Sequence, residues 1–283
     1  MERFIEVEPG VRLWAEESGK PDGEPLLLVM GANAAGLAWP DPLVAALGRE
    51  HRVIRYDHRD TGRSSRVFHD QPYPITRLAS DAIAVLDGLG LARAHVAGMS
   101  LGGTLVQLLV LDHPDRLLTA TLWSTAALGA WSPTDGESRA LPGPDPALLE
   151  LWQHMADPRD REAELDWRVA HWRLLRGDGP FDADESRRLE ERIIEHSGGH
   201  ENPAAHALAD PSGLDRGPEL AKVRTPTLVI DARKDPVNPP PHAEHLASVI
   251  SGARLVVVPE LGHALGSDVV PALTEEILRH TRR

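Results

Sequence analysis

Short apolar runs alternate with amphipathic stretches along the first part of the chain, the pattern of β-α-β units on a mainly parallel sheet. Leu26-Leu27-Leu28-Val29-Met30 is continuously apolar and stops at Gly31, which predicts a buried strand. His51 to Tyr56 predicts the next strand, closed by the polar turn Asp57-His58-Arg59-Asp60-Thr61-Gly62-Arg63-Ser64. From Ile75 to Leu89, apolar side chains at Leu78, Ala82, Ile83, Val85, Leu86 and Leu89 recur at helical spacing, with Thr76 as the expected N-cap. Ala94 to Ala97 then predicts a strand, Leu101 to Asp112 a strongly apolar helix, and Leu117 to Ser124 a further strand.

The character changes near Ala126. As far as Pro218 the chain is rich in Pro, Gly, Arg and Glu, with helical patches at Leu148–Met155, Glu162–Leu175 and Asp184–His196 and no strand-like run. Strand patterns resume at Thr227–Ile230 and Leu255–Val258, each followed by a helical stretch. The expected organisation is an α/β core in two pieces, 1–125 and 219–283, interrupted by an all-helical cap over 126–218.

Composition narrows the function. The 283 residues carry a net charge of −13 and no basic run, which argues against nucleic acid or an anionic membrane as the main partner. There is no cysteine, so disulfides, thiolate metal sites and Cys nucleophiles are excluded. Met1 to Glu6 mixes charges and lacks the apolar core of a signal peptide, and no stretch reaches the roughly 18 apolar residues of a spanning helix. The expectation is a cytoplasmic protein whose partner is a small molecule, with the oligomeric state left open.

Gly98-Met99-Ser100-Leu101-Gly102 matches G-x-S-x-G between a predicted strand and a predicted helix, the context in which that motif presents a nucleophilic serine. The structural alternative is a glycine-rich turn without chemistry. A serine hydroxyl needs a base to remove its proton, and the base needs a third group to orient it. Two further residues lie just past predicted strand ends, where catalytic groups gather on parallel sheets. One is Asp235, in Ile230-Asp231-Ala232-Arg233-Lys234-Asp235-Pro236; the other is His263, in Leu261-Gly262-His263-Ala264. Asp231 is the rival acid. The order Ser, Asp, His is that of α/β-hydrolases.

A tetrahedral intermediate also needs donors for its oxyanion. The turn Met30-Gly31-Ala32-Asn33 offers the Ala32 N–H and the onset of the next helix offers that of Leu101, while Asn33 either contacts substrate or simply makes the turn. The Asp57–Ser64 loop reads as an Asp–Arg-braced turn rather than a catalytic one. His242 and His245 have metal-like spacing without a third ligand, so a solvated helix face is expected. No phosphate loop or dinucleotide fingerprint is present, and the chemistry requires no metal or organic cofactor.

The segments VMGAN, RYDHRDTGRS, HVAGMSLGGT, PTLVIDARKDPV and ELGHAL resemble the α/β-hydrolase superfamily across nearly the whole core. More narrowly they resemble the aclacinomycin methylesterase group of anthracycline biosynthesis, as do Leu141-Pro142-Gly143-Pro144, Trp172-Arg173, Gly179-Pro180-Phe181 and His196-Ser197-Gly198-Gly199. The resemblance implies about eight mostly parallel strands flanked by helices. It also implies Ser100 as nucleophile, Asp235 as acid, His263 as base, and Ala32 and Leu101 at the oxyanion hole. The chain departs at Ala32, where the methylesterase pattern carries glycine; a backbone donor survives, but the added methyl narrows the acyl pocket.

Four of the seven tryptophans, Trp131, Trp152, Trp167 and Trp172, fall in the expected cap, and flat rings bury large area against indoles. This points to a methyl ester on a polycyclic polyketide, with Trp131 and Trp152 as the first candidates for substrate contact. The same indoles are alternatively cap core. The triad would equally serve a small-ester or lactone hydrolase or a cofactor-free perhydrolase. A binding protein without turnover has no support, because no catalytic position is missing.

Overall fold

Strands β1 (Glu2–Glu8) and β2 (Val11–Gly19) form an antiparallel hairpin that opens the sheet. β3 (Pro25–Val29), β4 (Arg52–Tyr56), β5 (Ala94–Met99), β6 (Leu117–Trp123), β7 (Thr227–Ala232) and β8 (Arg254–Val258) complete it in the order β1-β2-β4-β3-β5-β6-β7-β8. β2 meets β4 antiparallel, and every pairing beyond β4 is parallel. The computed structural model describes residues 1–130, 141–201 and 203–282. The six parallel strands coincide with the runs read from the sequence to within a few residues. The hairpin is an addition, because only Ile5 of β1 is fully buried and the strand carries no continuous apolar signal.

Helices cover both faces. On one side α2 (Thr76–Gly88), α3 (Leu101–Asp112) and α8 (His242–Val249) pack Leu78, Ala82, Leu105, Leu109 and Leu246 against Leu27, Val29, Val96 and Val229. On the other, α1 (Asp41–Leu47) and α9 (Val270–Thr281) bring Leu43, Leu47, Leu273 and Ile277 onto Leu26, Leu28, Ala97 and Ile230. Central strands sandwiched in this way must be apolar on both faces, which is why Leu26–Val29 of β3 and Leu228–Ile230 of β7 read as unbroken hydrophobic runs. Each buried leucine contributes about 1.5–3 kcal/mol of transfer free energy. Thr76 is the first helical residue of α2 and not its cap; the cap position is Ile75, without a side-chain bond.

Among the described residues four α-helices lie between β6 and β7: α4 (Pro146–Gln153), α5 (Arg161–Leu175), α6 (Ala183–Ser197) and α7 (Ala205–Leu208). Asp145, Asp160 and Asp182 cap the first three by accepting the N–H of Ala147, Ala163 and Glu185 at 2.8, 2.9 and 2.9 Å. Gly198, at φ 68°, ends α6 in the left-handed conformation that glycine adopts without strain. α5 and α6 are held together by the buried Arg168, which donates to Glu164 at 2.7 Å and to Glu190 at 3.0 Å.

Candidate active site

The turn between β5 and α3 dictates its own sequence. Ser100 sits at φ 54° and ψ −125°, a strained conformation for a residue with a side chain, costing on the order of 1–3 kcal/mol. It persists because the backbones around it are too close for larger residues. A Cβ on Gly98 would lie 2.4 Å from the Gly102 carbonyl oxygen, and one on Gly102 would lie 2.0 Å from that of Val29. Both glycines of the motif are therefore required sterically. The Ser100 N–H is spent on the Trp123 carbonyl at 3.2 Å, and the half-buried side chain stands above the carboxyl edge of the sheet. Leu101 opens α3, so its N–H has no intrahelical partner.

Asp235 follows β7 and is buried. Its Oδ1 accepts the N–H groups of Val237 and Asn238 at 2.7 and 3.0 Å, and both carboxylate oxygens lie 3.0 Å from His263 Nδ1. Burial by itself would raise the carboxyl pKa. The His263 charge and these hydrogen bonds outweigh it, and the value falls below the usual aspartate range. A carboxylate held ionised in this way keeps the proton on His263 Nδ1 and leaves Nε2, across the ring, as the basic atom. The acid and histidine loops are joined directly, Lys234 N–H donating to the Leu261 carbonyl at 2.9 Å. Asp231 is also buried, but it is ion-paired with Arg233 at 2.7 Å; burial and the nearby Glu244 raise its pKa. The structure thus pairs His263 with Asp235.

Ser100 and His263 face one cavity of about 330 Å³. Among the described residues no hydrogen bond joins Ser100 Oγ to the imidazole; such contacts often close only around substrate. Gly31, Ala32 and Asn33 line the same cavity. A Cβ on Gly31 would stand 3.2 Å from Ser100 Cβ, so this turn lies directly over the serine. Asn33, at φ 58°, gives its backbone N–H to His206 Nδ1 at 2.9 Å and accepts the His206 N–H on Oδ1 at 3.0 Å. Turn-making accounts for both of those bonds.

The far wall comes from the helical insertion. Trp152, Trp167 and Trp172 all line the cavity, with Met155, His171 and Leu175. Trp131 lies outside the described residues. The Trp152 indole donates to His171 Nε2 at 2.9 Å, and that of Trp172 to Glu190 at 2.5 Å. Burial, and then the charge of nearby His263, push the His171 pKa down to about 4. His171, His206 and the Arg168–Glu190 pair were not anticipated from sequence. For α5 a signal existed, since Arg168, His171, Trp172 and Leu175 repeat at three- and four-residue spacing on one helical face.

Other candidates resolve differently. The Asp57–Ser64 loop is braced as expected: Arg59 makes a bidentate pair with Asp81 at 2.7 and 2.6 Å, and Asp57 accepts the N–H of Gly36 and Arg63. His242 does not lie on a solvated face; it is buried and its Nε2 bonds the Pro142 carbonyl at 2.9 Å. Among the described residues no group of three His, Asp or Glu is placed to hold a metal ion, and no helix is long and apolar enough to cross a membrane.

This geometry has close relatives. The chain is 46% identical over 284 residues to rhodomycin D methylesterase DnrP of Streptomyces peucetius, covering 96% of this chain and 95% of that one. It is 45% identical, with the same coverage, to rhodomycin D methylesterase DauP of Streptomyces sp. strain C5. A crystal structure of a hydrolase from Pseudomonas aeruginosa PA01 superimposes with a TM-score of 0.75 at 27% identity, covering 99% of this chain and 97% of the other. The alpha/beta hydrolase fold family matches residues 24–268, and with the serine turn, the histidine–carboxylate pair and the eight-stranded sheet this establishes that the chain belongs to the α/β-hydrolase family.

Proposed function

We propose that the protein is a serine carboxylic ester hydrolase that removes the methyl group from an ester carried on a polycyclic aromatic polyketide. The observation that carries this reading is one cavity that has Ser100 and the Asp235-bound His263 on its core side and three indoles on the other. Likeness to the rhodomycin D methylesterases over almost the whole chain supports the substrate class.

In the reaction, His263 Nε2 takes the Ser100 proton as Oγ attacks the ester carbonyl carbon. Asp235 holds the imidazole and stabilises its cation. The N–H groups of Ala32 and Leu101 receive the negative charge that develops on the carbonyl oxygen; one such donor contributes on the order of 10²–10³ in rate. The tetrahedral intermediate collapses, the alkoxide leaves as methanol with the proton from His263, and an acyl-enzyme remains. Water, deprotonated by His263, then attacks the acyl carbon, and the carboxylic acid departs as Ser100 recovers its proton. Residues 126–218 serve as a cap that selects the ester, while 1–125 and 219–283 perform the chemistry.

The test combines Ser100→Ala with a panel of methyl esters assayed by mass spectrometry for released acid. The alanine variant should fold and lose turnover by on the order of 10⁴-fold or more. Phenylmethylsulfonyl fluoride should label the parent on the peptide containing Ser100. An active alanine variant would overturn the mechanism; hydrolysis of small aryl esters with no turnover of a polycyclic methyl ester would overturn the substrate class.

A further inference from the structure

Two histidines bracket the turn that overlies Ser100. On the core side, His58 Nε2–H donates to the carbonyl of Met30 at 3.0 Å. On the insertion side, His206 of α7 accepts the Asn33 N–H on Nδ1 at 2.9 Å, while its own backbone N–H returns to Asn33 Oδ1 at 3.0 Å. The remaining ring nitrogen, His206 Nε2, donates to the Arg59 carbonyl at 3.0 Å. The two imidazoles meet edge to face with their centroids 5.5 Å apart. Between the two anchored ends, Gly31 lies against Ser100 and Ala32 lines the cavity that the serine faces.

This bonding pattern specifies one protonation state of His206. An imidazole that accepts at Nδ1 and donates at Nε2 must be neutral, because the cation has no acceptor to offer the Asn33 N–H. The environment enforces that state. Burial, followed by the proximity of His58, depresses the His206 pKa to about 3, and burial lowers that of His58 as well. Asn33 holds the end of the turn at φ 58°, a left-handed conformation that asparagine tolerates better than most residues, and its two bonds to His206 fix it there.

We infer that His206 is a positioning residue for ester hydrolysis: from the helical insertion it fixes the Met30–Asn33 turn so that the Ala32 N–H is aimed at the developing oxyanion. The inference rests on the proposed role of Ala32 as an oxyanion donor. It gives the insertion a part in the rate of the chemical step as well as in the choice of substrate. An N–H displaced by a fraction of an ångström still permits the ester to bind but no longer meets the charge that forms in the transition state, so the effect belongs in kcat and not in KM.

The experiment compares three substitutions at this position on 4-nitrophenyl acetate, a substrate too small to reach the insertion's indoles. His206→Leu removes both ring bonds; kcat should fall on the order of 10–100-fold with KM within about two-fold of the parent. His206→Asn keeps an acceptor oxygen near the position of Nδ1 and should recover kcat to within about three-fold, whereas His206→Gln keeps only the donor to Arg59 and should match leucine. Phenylboronic acid, which forms a tetrahedral adduct on an active serine, should lose affinity by the same factor as kcat/KM across the series, a proportionality that general destabilisation does not produce. If leucine does not fold, the asparagine–glutamine pair decides the matter alone. Equal kcat for those two variants, or boronate affinity unchanged when kcat falls, overturns the inference. Ser100→Ala in the same assay separates the two levels: its inactivity with a fully active His206→Leu removes only the role of His206, and its retained activity removes the catalytic reading on which that role rests.

Discussion

The carbonyl of Leu175, the last residue of α5, accepts the backbone N–H of His263 at 2.8 Å and that of Ala264 at 3.1 Å. The histidine loop is therefore tied to the helical insertion by the main chain, independently of which side chains line the cavity. Next to this contact Arg176, fully buried, donates to the Glu260 carbonyl at 2.9 Å and pairs with Asp268 at 2.5 Å. The acid loop has a matching bond, Asp145 N–H donating to the Pro236 carbonyl at 2.7 Å.

Gly262 makes that attachment possible, because a Cβ there would stand 2.4 Å from the Arg176 carbonyl oxygen. Gly262→Ala must separate the loop from the helix end, carrying His263 with it. A shift of about 1 Å at a catalytic group costs on the order of 10²-fold, so kcat should drop by that order. Far-ultraviolet circular dichroism should stay close to the parent. Unchanged turnover by the alanine variant would show that the loop tolerates the displacement.

Replacing the two buried aspartates should give unequal results. Asp235→Asn loses the negative charge facing His263 Nδ1 and permits the wrong tautomer, and kcat should fall by on the order of 10⁴-fold. Asp231→Asn breaks a pair with Arg233 that does not touch the histidine, so activity should stay within about ten-fold of the parent. Steady-state kinetics on one aryl ester suffices. Comparable losses at both positions would dissolve the assignment of the acid.

For the indoles, Trp152→Ala should reduce kcat/KM for a polycyclic methyl ester by about ten-fold, the size of an aromatic contact of about 0.5–1.5 kcal/mol beyond area burial. Hydrolysis of a short aryl acetate should hardly change. Trp167 is a different case: the Arg159 guanidinium lies 4.8 Å from its ring centre, and its Nε1 is buried. Its removal should lower the melting temperature as well. Parallel losses on both substrates at Trp152, with a fall in melting temperature, would make that residue a packing element.

Acid should destabilise the fold through two histidines. His171 and His206 titrate near 4 and 3 in the folded protein and near the ordinary imidazole value when unfolded. As pH falls through about 6.5 the unfolded chain binds protons that the folded one refuses, so stability declines toward pH 4. Each histidine contributes about 2 kcal/mol of loss between pH 7 and pH 5. Asp235 acts in the same direction at lower pH, since its depressed pKa favours the folded state only while it is ionised. Thermal melts across this range should show the trend, and His206→Asn should flatten it. A melting temperature constant between pH 7 and pH 5 would mean that neither imidazole is kept neutral.

The apolar runs by themselves determined the six parallel strands and the helices α2, α3, α8 and α9, though not α1, because a strand buried on both faces can hardly be anything but continuously hydrophobic. The serine turn was equally legible: Gly98 and Gly102 are local necessities of one sharp bend, and local sterics are written in local sequence. The edge hairpin was not, since Ile5 alone of β1 is fully buried and the pairing of β1 with β2 leaves little periodic trace. Asp235 reads as the acid from the sequence, but Asp231, four residues earlier at the end of β7, stays as its rival. Tertiary structure decided that by turning Asp235 to His263 and Asp231 to Arg233. The same holds for His206, 173 residues from the Asn33 it grips, and for His171, which accepts the Trp152 indole N–H. Polar contacts between distant segments follow from how the insertion docks on the core, and that geometry is a sum over the whole packed chain that no window of sequence contains.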